Sequence, residues 1–249
     1  MNRRNMFIKV FNPQKGKFDK VFFLLFFMLK EKDFIEIEFT GRTKEGEIFD
    51  SNIKEDLEKA NLNFEPKPFA FCLGQGMFLK GVEDFLIGKS DKVENYEISL
   101  SSDNAFGKRN PKLIQLVPSR VFMEQKLNPV KGMMFNFDGR IAKILSVSGG
   151  RVIADFNNPV AGKDVVYNVR FLRKISDINE KAGALIDFLF RRKLDFEIKD
   201  KKIIILAEKG LDKFVELFKD KFNEILDLEL ETRVVDAGKK KEEDKKSQK

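Results

Sequence analysis

EFTGRTKEGEIFDSN, Glu38 to Asn52, decides the reading of this chain. It closes a run in which Ile35, Ile37 and Phe39 alternate with Glu36, Glu38 and Thr40, the period of a half-buried strand. The Lys44-Glu45-Gly46 segment that follows reads as a tight turn, and a hairpin partner is expected from near Glu47. Just past that turn a phenylalanine, Phe49, stands beside an aspartate, Asp50, in a chain that contains no histidine.

The missing histidine excludes Ser-His-Asp and Cys-His nucleophile systems, HExxH zinc sites and imidazole acid/base chemistry. A single cysteine, Cys72, can form neither an internal disulfide nor a CxxC pair. It suits a reducing compartment, and its apolar neighbours make it a core residue. The net charge of +7 comes from 47 basic and 40 acidic residues interleaved along the chain, which describes solvated faces with a modest basic bias. Phenylalanine occurs 27 times against two tyrosines and no tryptophan, so the aromatic surface is almost entirely without hydroxyls.

Outward from the opening stretch, PFAFCLGQG repeats the alternation through Phe69, Phe71 and Leu73, and Gly74 and Gly76 mark a turn. In MFLKGVEDFLIGK, Phe78, Val82, Phe85 and Leu86 recur at helical spacing, with Gly88 as the stop. A strand is expected through Tyr96, Ile98 and Leu100, then an Asp-Asn loop ending in Phe106 and Gly107. Between Lys108 and Gly162 the texture changes to a small β-rich module with two alternating runs joined at Gly149-Gly150. VVYNVRFLRKI resumes a long strand. A helix through Ile178, Ala182, Leu185, Ile186 and Leu189 is expected behind a Ser176 cap, then strands at Leu194 to Ile198 and Ile203 to Leu206. A second helix carries Leu211, Phe214, Phe218, Phe222 and Ile225, and a last strand alternates through Leu228, Leu230, Thr232 and Val234. The fold class is α+β, in five segments: a leader over residues 1–32, a main domain over 33–107 and 163–175, the inserted module over 108–162, a C-terminal α+β domain over 176–236, and a charged tail over 237–249 expected to be disordered.

The leader is basic and runs into VFFLLFFML, Val21 to Leu29, which is short of the about 20 apolar residues a membrane span needs. Two readings stand, a signal or anchor segment and an upstream extension with Met28 as the working start; the second is preferred because no small-residue cleavage site follows.

The ordered series FTG, FDS, PFAFCLGQGMFLKGVEDFLIG and NAFG resembles the FKBP-type peptidyl-prolyl isomerases. The insertion resembles the chaperone module of their SlyD-like branch, and the C-terminal domain is similar to that of long archaeal members. The resemblance implies an FKBP-like antiparallel sheet wrapped on a short helix and catalysis of X-Pro rotation. Phe39, Phe49, Phe69, Phe78, Leu79, Val82, Phe106 and Tyr167 would line a proline pocket, with Asp50 facing the carbonyl region and the Leu79 N–H binding a substrate carbonyl. Val82 departs from the family's tryptophan and Phe106 from its usual tyrosine, which implies slower turnover. Residues alone leave alternatives: Phe39 and Phe69 as core, Phe71 as core, and Asp50-Ser51 as a turn pair capping backbone amides. Phe122, Met123, Met133, Met134 and Phe135 of the module divide between its own core and a surface for unfolded chains. The expected protein is a cytoplasmic, monomeric isomerase and chaperone with no cofactor and no metal site. Its partners would be unfolded or nascent polypeptides, with ribosome association a weaker reading. A holdase with little isomerase activity is the alternative.

Overall fold

The computed structural model describes residues 10–12, 17–19 and 28–235; the apolar run before Met28 and the charged tail beyond residue 235 lie outside the described residues. Two three-residue strands, β1 (Val10–Asn12) and β2 (Lys17–Asp19), pair antiparallel. The main sheet begins with β3 (Phe34–Thr43) and β4 (Ile48–Ser51), joined by the turn in which the Gly46 N–H donates to the Thr43 carbonyl at 2.9 Å. A short helix α1 (Lys54–Ala60) follows, then β5 (Phe69–Cys72), helix α2 (Lys80–Leu86) and β6 (Glu94–Leu100). Next come β7 (Ile114–Pro118), helix α3 (Ser119–Glu124), β8 (Met134–Phe137), β9 (Arg140–Ser148) and β10 (Arg151–Asp155). The long β11 (Val165–Ile175) leads into α4 (Ile178–Phe190), β12 (Phe196–Lys199), β13 (Lys202–Ala207), α5 (Leu211–Glu216), α6 (Lys219–Leu226) and β14 (Glu229–Val234).

The chain divides into two compact units, and β3 and β11 each run from one into the other. The five-stranded sheet has the order β4-β3-β11-β6, with β5 also on β3. Within the unit formed by the described residues up to Glu38, Lys67–Asn95 and Arg170 onward, β5 pairs with the first half of β3, Ile37 opposite Phe69 and Phe34 opposite Cys72. Ile35, Ile37, Phe71, Cys72, Leu73, Val82 and Leu86 are completely buried there. Burial first, then the charge of Glu83, pushes the Cys72 thiol up to about 12, so it stays protonated and behaves as a small apolar side chain. Leu29 is buried as well, its N–H donating to the Lys89 carbonyl at 2.8 Å, while Met28 bridges Ser90. The same unit holds a three-stranded sheet of order β12-β13-β14, in which β13 and β14 are parallel because α5 and α6 form the crossover between them.

The other unit, Phe39–Pro66 with Tyr96–Val169, contains the second half of β3, β4, α1 and a four-stranded module of order β7-β10-β9-β8. The β9-β10 hairpin turns at Gly149 and Gly150, both at positive φ (56° and 76°), the pair of dihedrals a two-residue turn matched to strand twist requires. The module has its own core of Phe122, Ala142, Ile144, Val152 and Ala154, on which Val117, Phe135, Phe137 and Phe156 pack. Its two connections are tied together. The Gly162 N–H donates to the Gly107 carbonyl at 2.7 Å, Asn110 and Asn157 exchange two hydrogen bonds of 2.8 and 3.1 Å, and Arg109 pairs with the buried Asp155.

One element was not foreseen and two local expectations are corrected. Helix α1 has no counterpart in the apolar pattern, since Leu57 is its one buried apolar residue. The single helix expected over Leu211 to Ile225 is two helices, broken at Leu217-Phe218. Finally, α4 is capped by Asp177, not Ser176: the Asp177 carboxylate accepts the N–H groups of Asn179 and Glu180, both at 2.9 Å. Asp177→Ala should therefore destabilise the chain by about 1 kcal/mol, whereas Ser176→Ala should stay within about 0.5 kcal/mol, both read from urea unfolding. Equal effects would return the cap to Ser176.

Candidate active site

The pairing of β3 with β4 explains why Phe49 and Asp50 stand together. Thr40 faces Ser51 and Gly41 faces Asp50, but Arg42 faces Ile48, so Phe49 is an extra residue bulged out of the ladder. In a regular strand, neighbours point to opposite faces; a bulge re-aims one of them. Both side chains consequently meet Tyr167. The Phe49 ring lies edge-on to the Tyr167 ring at 5.8 Å and 84°, and the Tyr167 hydroxyl donates to the Asp50 carboxylate.

Two more rings complete this cluster. Phe106 meets Phe49 edge-on at 5.5 Å and 88°, and Phe39 lies 6.1 Å from Tyr167. Phe106 sits in a loop held at both ends: the Gly107 N–H donates to the Ser102 carbonyl at 2.7 Å, and the Ser102 N–H donates to Asp164 at 2.8 Å. Asp164 also pairs with Lys44 at 2.7 Å. On the other side, the Phe39 N–H donates to the Asn52 side chain at 2.7 Å, and the Ser51 hydroxyl donates to the Phe39 carbonyl at 3.0 Å. Beneath them Thr40 donates to Asp56 at 2.5 Å.

The electrostatics follow from burial. Burial raises the Asp50 carboxyl above its ordinary range, opposed by the Ser51 N–H and the Tyr167 hydroxyl. Tyr167, only 1% exposed, is raised by its own burial and then by the Asp50 charge, so the phenol remains a donor at any ordinary pH. The result is a half-buried carboxylate with one fixed hydroxyl donor, next to a cluster of aromatic rings.

Phe69, Phe71, Phe78, Leu79 and Val82 lie in the other unit. Phe69, Phe71 and Phe78 form a ring triangle with sides of 5.4, 5.5 and 5.5 Å; Phe71 is fully buried. Leu79 is the N-terminal cap of α2, and Val82 is fully buried on its first turn. In the module, Phe122 is corrected from the surface to the core: it is 2% exposed and meets Phe135 and Phe137 edge-on. Phe135, half-buried, packs on the same core. Met123, Met133 and Met134 are exposed.

Sequence reasoning missed Gly41, Asn52 and Asp164. The signal for Gly41 was a glycine inside an alternating strand, which marks a bulge or a close approach. The other two are ordinary loop residues whose part depends on pairing not visible in one dimension.

A ring cluster beside a half-buried carboxylate, without histidine or any activated nucleophile, suits chemistry that breaks no covalent bond. The comparisons agree. A model of the FKBP-type peptidyl-prolyl cis-trans isomerase matches residues 28–122, and a model described as FKBP26, IF domain, matches residues 115–160. The chain is 33% identical over 112 residues to an FKBP-type 16 kDa peptidyl-prolyl cis-trans isomerase of Escherichia coli, covering 43% of this chain and 73% of that protein.

The chain belongs to the FKBP-type peptidyl-prolyl cis-trans isomerase family.

It is also 27% identical over 147 residues to a short-type peptidyl-prolyl cis-trans isomerase of Methanocaldococcus jannaschii, covering 57% of this chain and 92% of that protein. A SlyD of Treponema pallidum is 29% identical over 150 residues, with 57% and 77% covered, which supports the SlyD-like branch. The reaction of this isomerase family is rotation about an X-Pro amide, against a barrier of about 18–20 kcal/mol. No proton moves between heavy atoms, so a histidine is not needed. No helix of the described residues is long and apolar enough to cross a membrane.

The ring cluster makes one direct demand on the sequence. A Cβ at Gly41 would stand 2.9 Å from Phe49 and from two ring atoms of Tyr167. Gly41→Ala should cost about 1–3 kcal/mol in urea unfolding. It should also lower kcat/KM in a protease-coupled tetrapeptide assay by roughly tenfold to a hundredfold, because the rings are displaced. An unchanged kcat/KM in the alanine variant would separate the cluster from catalysis.

Proposed function

We propose that this isomerase rotates X-Pro bonds in unfolded or nascent polypeptides, and that its inserted module holds those chains while it does so. The observation that carries the catalytic half is the meeting of Phe49, Asp50, Phe106 and Tyr167 in one unit. The half-buried rings of Phe49 and Phe106, backed by the buried Phe39, offer an apolar surface to the proline, while Asp50, held by Tyr167, faces the carbonyl region. A twisted amide has lost its conjugation, so its carbonyl presents a different dipole from the planar ground state, and only interactions that favour the twisted form accelerate rotation. Asp50 acts as a fixed charge and not as a general base. In the other unit, the Leu79 N–H has no acceptor among the described residues and is the donor for a peptide carbonyl of the substrate.

The module supports the second half. With Phe122 and Phe135 consumed by its core, Met123, Met133 and Met134 stand exposed, together with Leu116 and Ile141. Flexible, polarizable thioethers beside aliphatic side chains suit apolar segments of varied sequence. Holding a chain there turns pocket encounter into an intramolecular event, with effective concentrations in the ~mM range for short linkers. We place this work in the cytoplasm, where a lone buried cysteine stays reduced and chains emerge from the ribosome.

Two experiments test the reading. Phe49→Ala and Asp50→Ala should each lower tetrapeptide kcat/KM by about tenfold or more while leaving the chain folded, each removing one surface or charge seen by the twisted amide. Folded variants with wild-type kcat/KM would sink the site. Replacing Lys108 to Gly162 by a short flexible loop is sterically feasible because Gly107 and Gly162 already meet at 2.7 Å. That replacement should leave tetrapeptide kcat/KM within a few-fold, slow proline-limited refolding of a protein substrate by well over about tenfold, and abolish aggregation suppression. Equal losses on peptide and protein would instead mean that the module shapes the pocket.

A further inference from the structure

The loop Gly74–Phe78 is organised by a buried carboxylate. Glu83, on α2, is 2% exposed and forms no ion pair among the described residues. Its Oε2 accepts the N–H groups of Gly74 at 2.8 Å and Gly76 at 3.2 Å, and its Oε1 accepts that of Phe78 at 2.7 Å. A carboxylate buried without a cation is costly unless its lone pairs are filled by donors, and here three backbone N–H groups fill them. An apolar residue would pack at this position with no charge to bury, but it would leave the three N–H groups without an acceptor.

The contacts also bracket one peptide plane. Phe78, whose N–H is held by Glu83 Oε1, contributes the carbonyl side of the Phe78–Leu79 amide, and Leu79 contributes its N–H. On the far side, the Leu79 carbonyl accepts the N–H of Val82 at 2.8 Å and of Glu83 itself at 3.1 Å. Glu83 thus grips the backbone on both sides of an amide whose own N–H is free among the described residues. An N–H is a directional donor, and its value to a substrate depends on where the plane that carries it points.

We infer that Glu83 is a positioning residue for catalysis, fixing the Phe78–Leu79 peptide plane so that the Leu79 N–H points at a substrate carbonyl. The inference rests on the proposed role of that N–H as a substrate donor, and the experiment separates the two. Glu83→Gln keeps the side-chain volume but turns an N–H donor toward the loop's own N–H groups. It should lower tetrapeptide kcat/KM by about tenfold in a chain that remains folded, the scale of one misdirected hydrogen bond. Glu83→Asp, which keeps the charge on a shorter arm, should recover part of that loss, and it carries the comparison if the glutamine variant does not fold. Leu79→Pro deletes the N–H at a φ of −64°, which proline adopts, and Leu79→Ala controls for the side chain. The proline variant should lose about as much as Glu83→Gln, and the double variant should lose no more than Leu79→Pro alone, because both act on one donor.

A wild-type kcat/KM in Glu83→Gln, with Leu79→Pro impaired, would overturn the positioning role and leave the donor standing. Leu79→Pro no worse than Leu79→Ala would remove the donor, and the positioning role with it. Losses that multiply in the double variant would show Glu83 acting through something other than Leu79, which equally overturns the inference.

Discussion

A side chain at residue 41 would stand 2.9 Å from the rings of Phe49 and Tyr167, so the packing of three rings and a carboxylate depends on a glycine inside a strand. Glycine weakens a strand by roughly 0.5–1 kcal/mol relative to alanine. Here the loss is offset by edge-on ring contacts at 5.5 and 5.8 Å, worth about 0.5–1.5 kcal/mol each beyond their buried area. The same position is where the register shifts, since Gly41 faces Asp50 and Arg42 faces Ile48. One bulge and one missing methyl group together turn two consecutive residues toward the same tyrosine. Without the bulge Phe49 and Asp50 would lie on opposite faces of the sheet, and the pairing of ring with charge would not exist.

Tyr167 holds this arrangement in a single state. Its hydroxyl has the Asp50 carboxylate as acceptor, and burial together with the Asp50 charge raises the phenol, so Tyr167 stays a donor around neutrality. On the proposed reading, a carboxylate held in this way keeps its direction while a substrate amide turns in front of it. That fixity is the property an amide rotation requires: the dipoles must already be oriented when the carbonyl leaves its plane, because reorienting them during the event would return the energy gained. Phe106 enlarges the apolar side without adding a donor. The Tyr167 hydroxyl is spoken for by Asp50, so on the proposed reading substrate contact falls to the rings and to the carboxylate.

Much of this was legible in one dimension and the rest was not, for identifiable reasons. Alternation exposed β3, β5 and β11 because each has one apolar face. The family resemblance tied Phe39, Phe49, Phe106 and Tyr167 to one site. The bulge at Phe49 stayed hidden because register belongs to a pair of strands, not to either sequence. Helix α1 has one buried apolar residue in seven, too few to show a period. The break between α5 and α6 was masked because Leu211, Phe214, Phe218, Phe222 and Ile225 keep helical spacing straight through it. Ser176 and Asp177 are both capping residues, and only the backbone says which one faces the free N–H groups. Glu83 did leave a trace: it lies between Val82 and Leu86 on the buried side of a short helix, where a carboxylate is out of place unless something donates to it.

The division of the module into a phenylalanine core and a methionine surface follows from shape. Phe122 can meet Phe135 and Phe137 edge-on in a four-stranded sheet too small for a deeper interior, and rigid rings fix such a core at the lowest conformational cost. Methionine in those places would pack with less definition; on the surface that looseness suits the proposed role, in which one patch accepts many sequences. What such a patch gains from flexibility it would lose if the module swung freely, and the connection between module and site limits that. Both crossing strands are cross-linked by the Gly107–Gly162 bond, by the Asn110–Asn157 pair and by Arg109 on a buried Asp155, which also accepts both the backbone and the side-chain N–H of Asn157. Phe106 stands one residue before this clamp. The clamp fixes the root of the module, while the Phe106 loop keeps its own bonds from Gly107 to Ser102 and from Ser102 to Asp164, so adaptability is confined to the side chains at the module's surface.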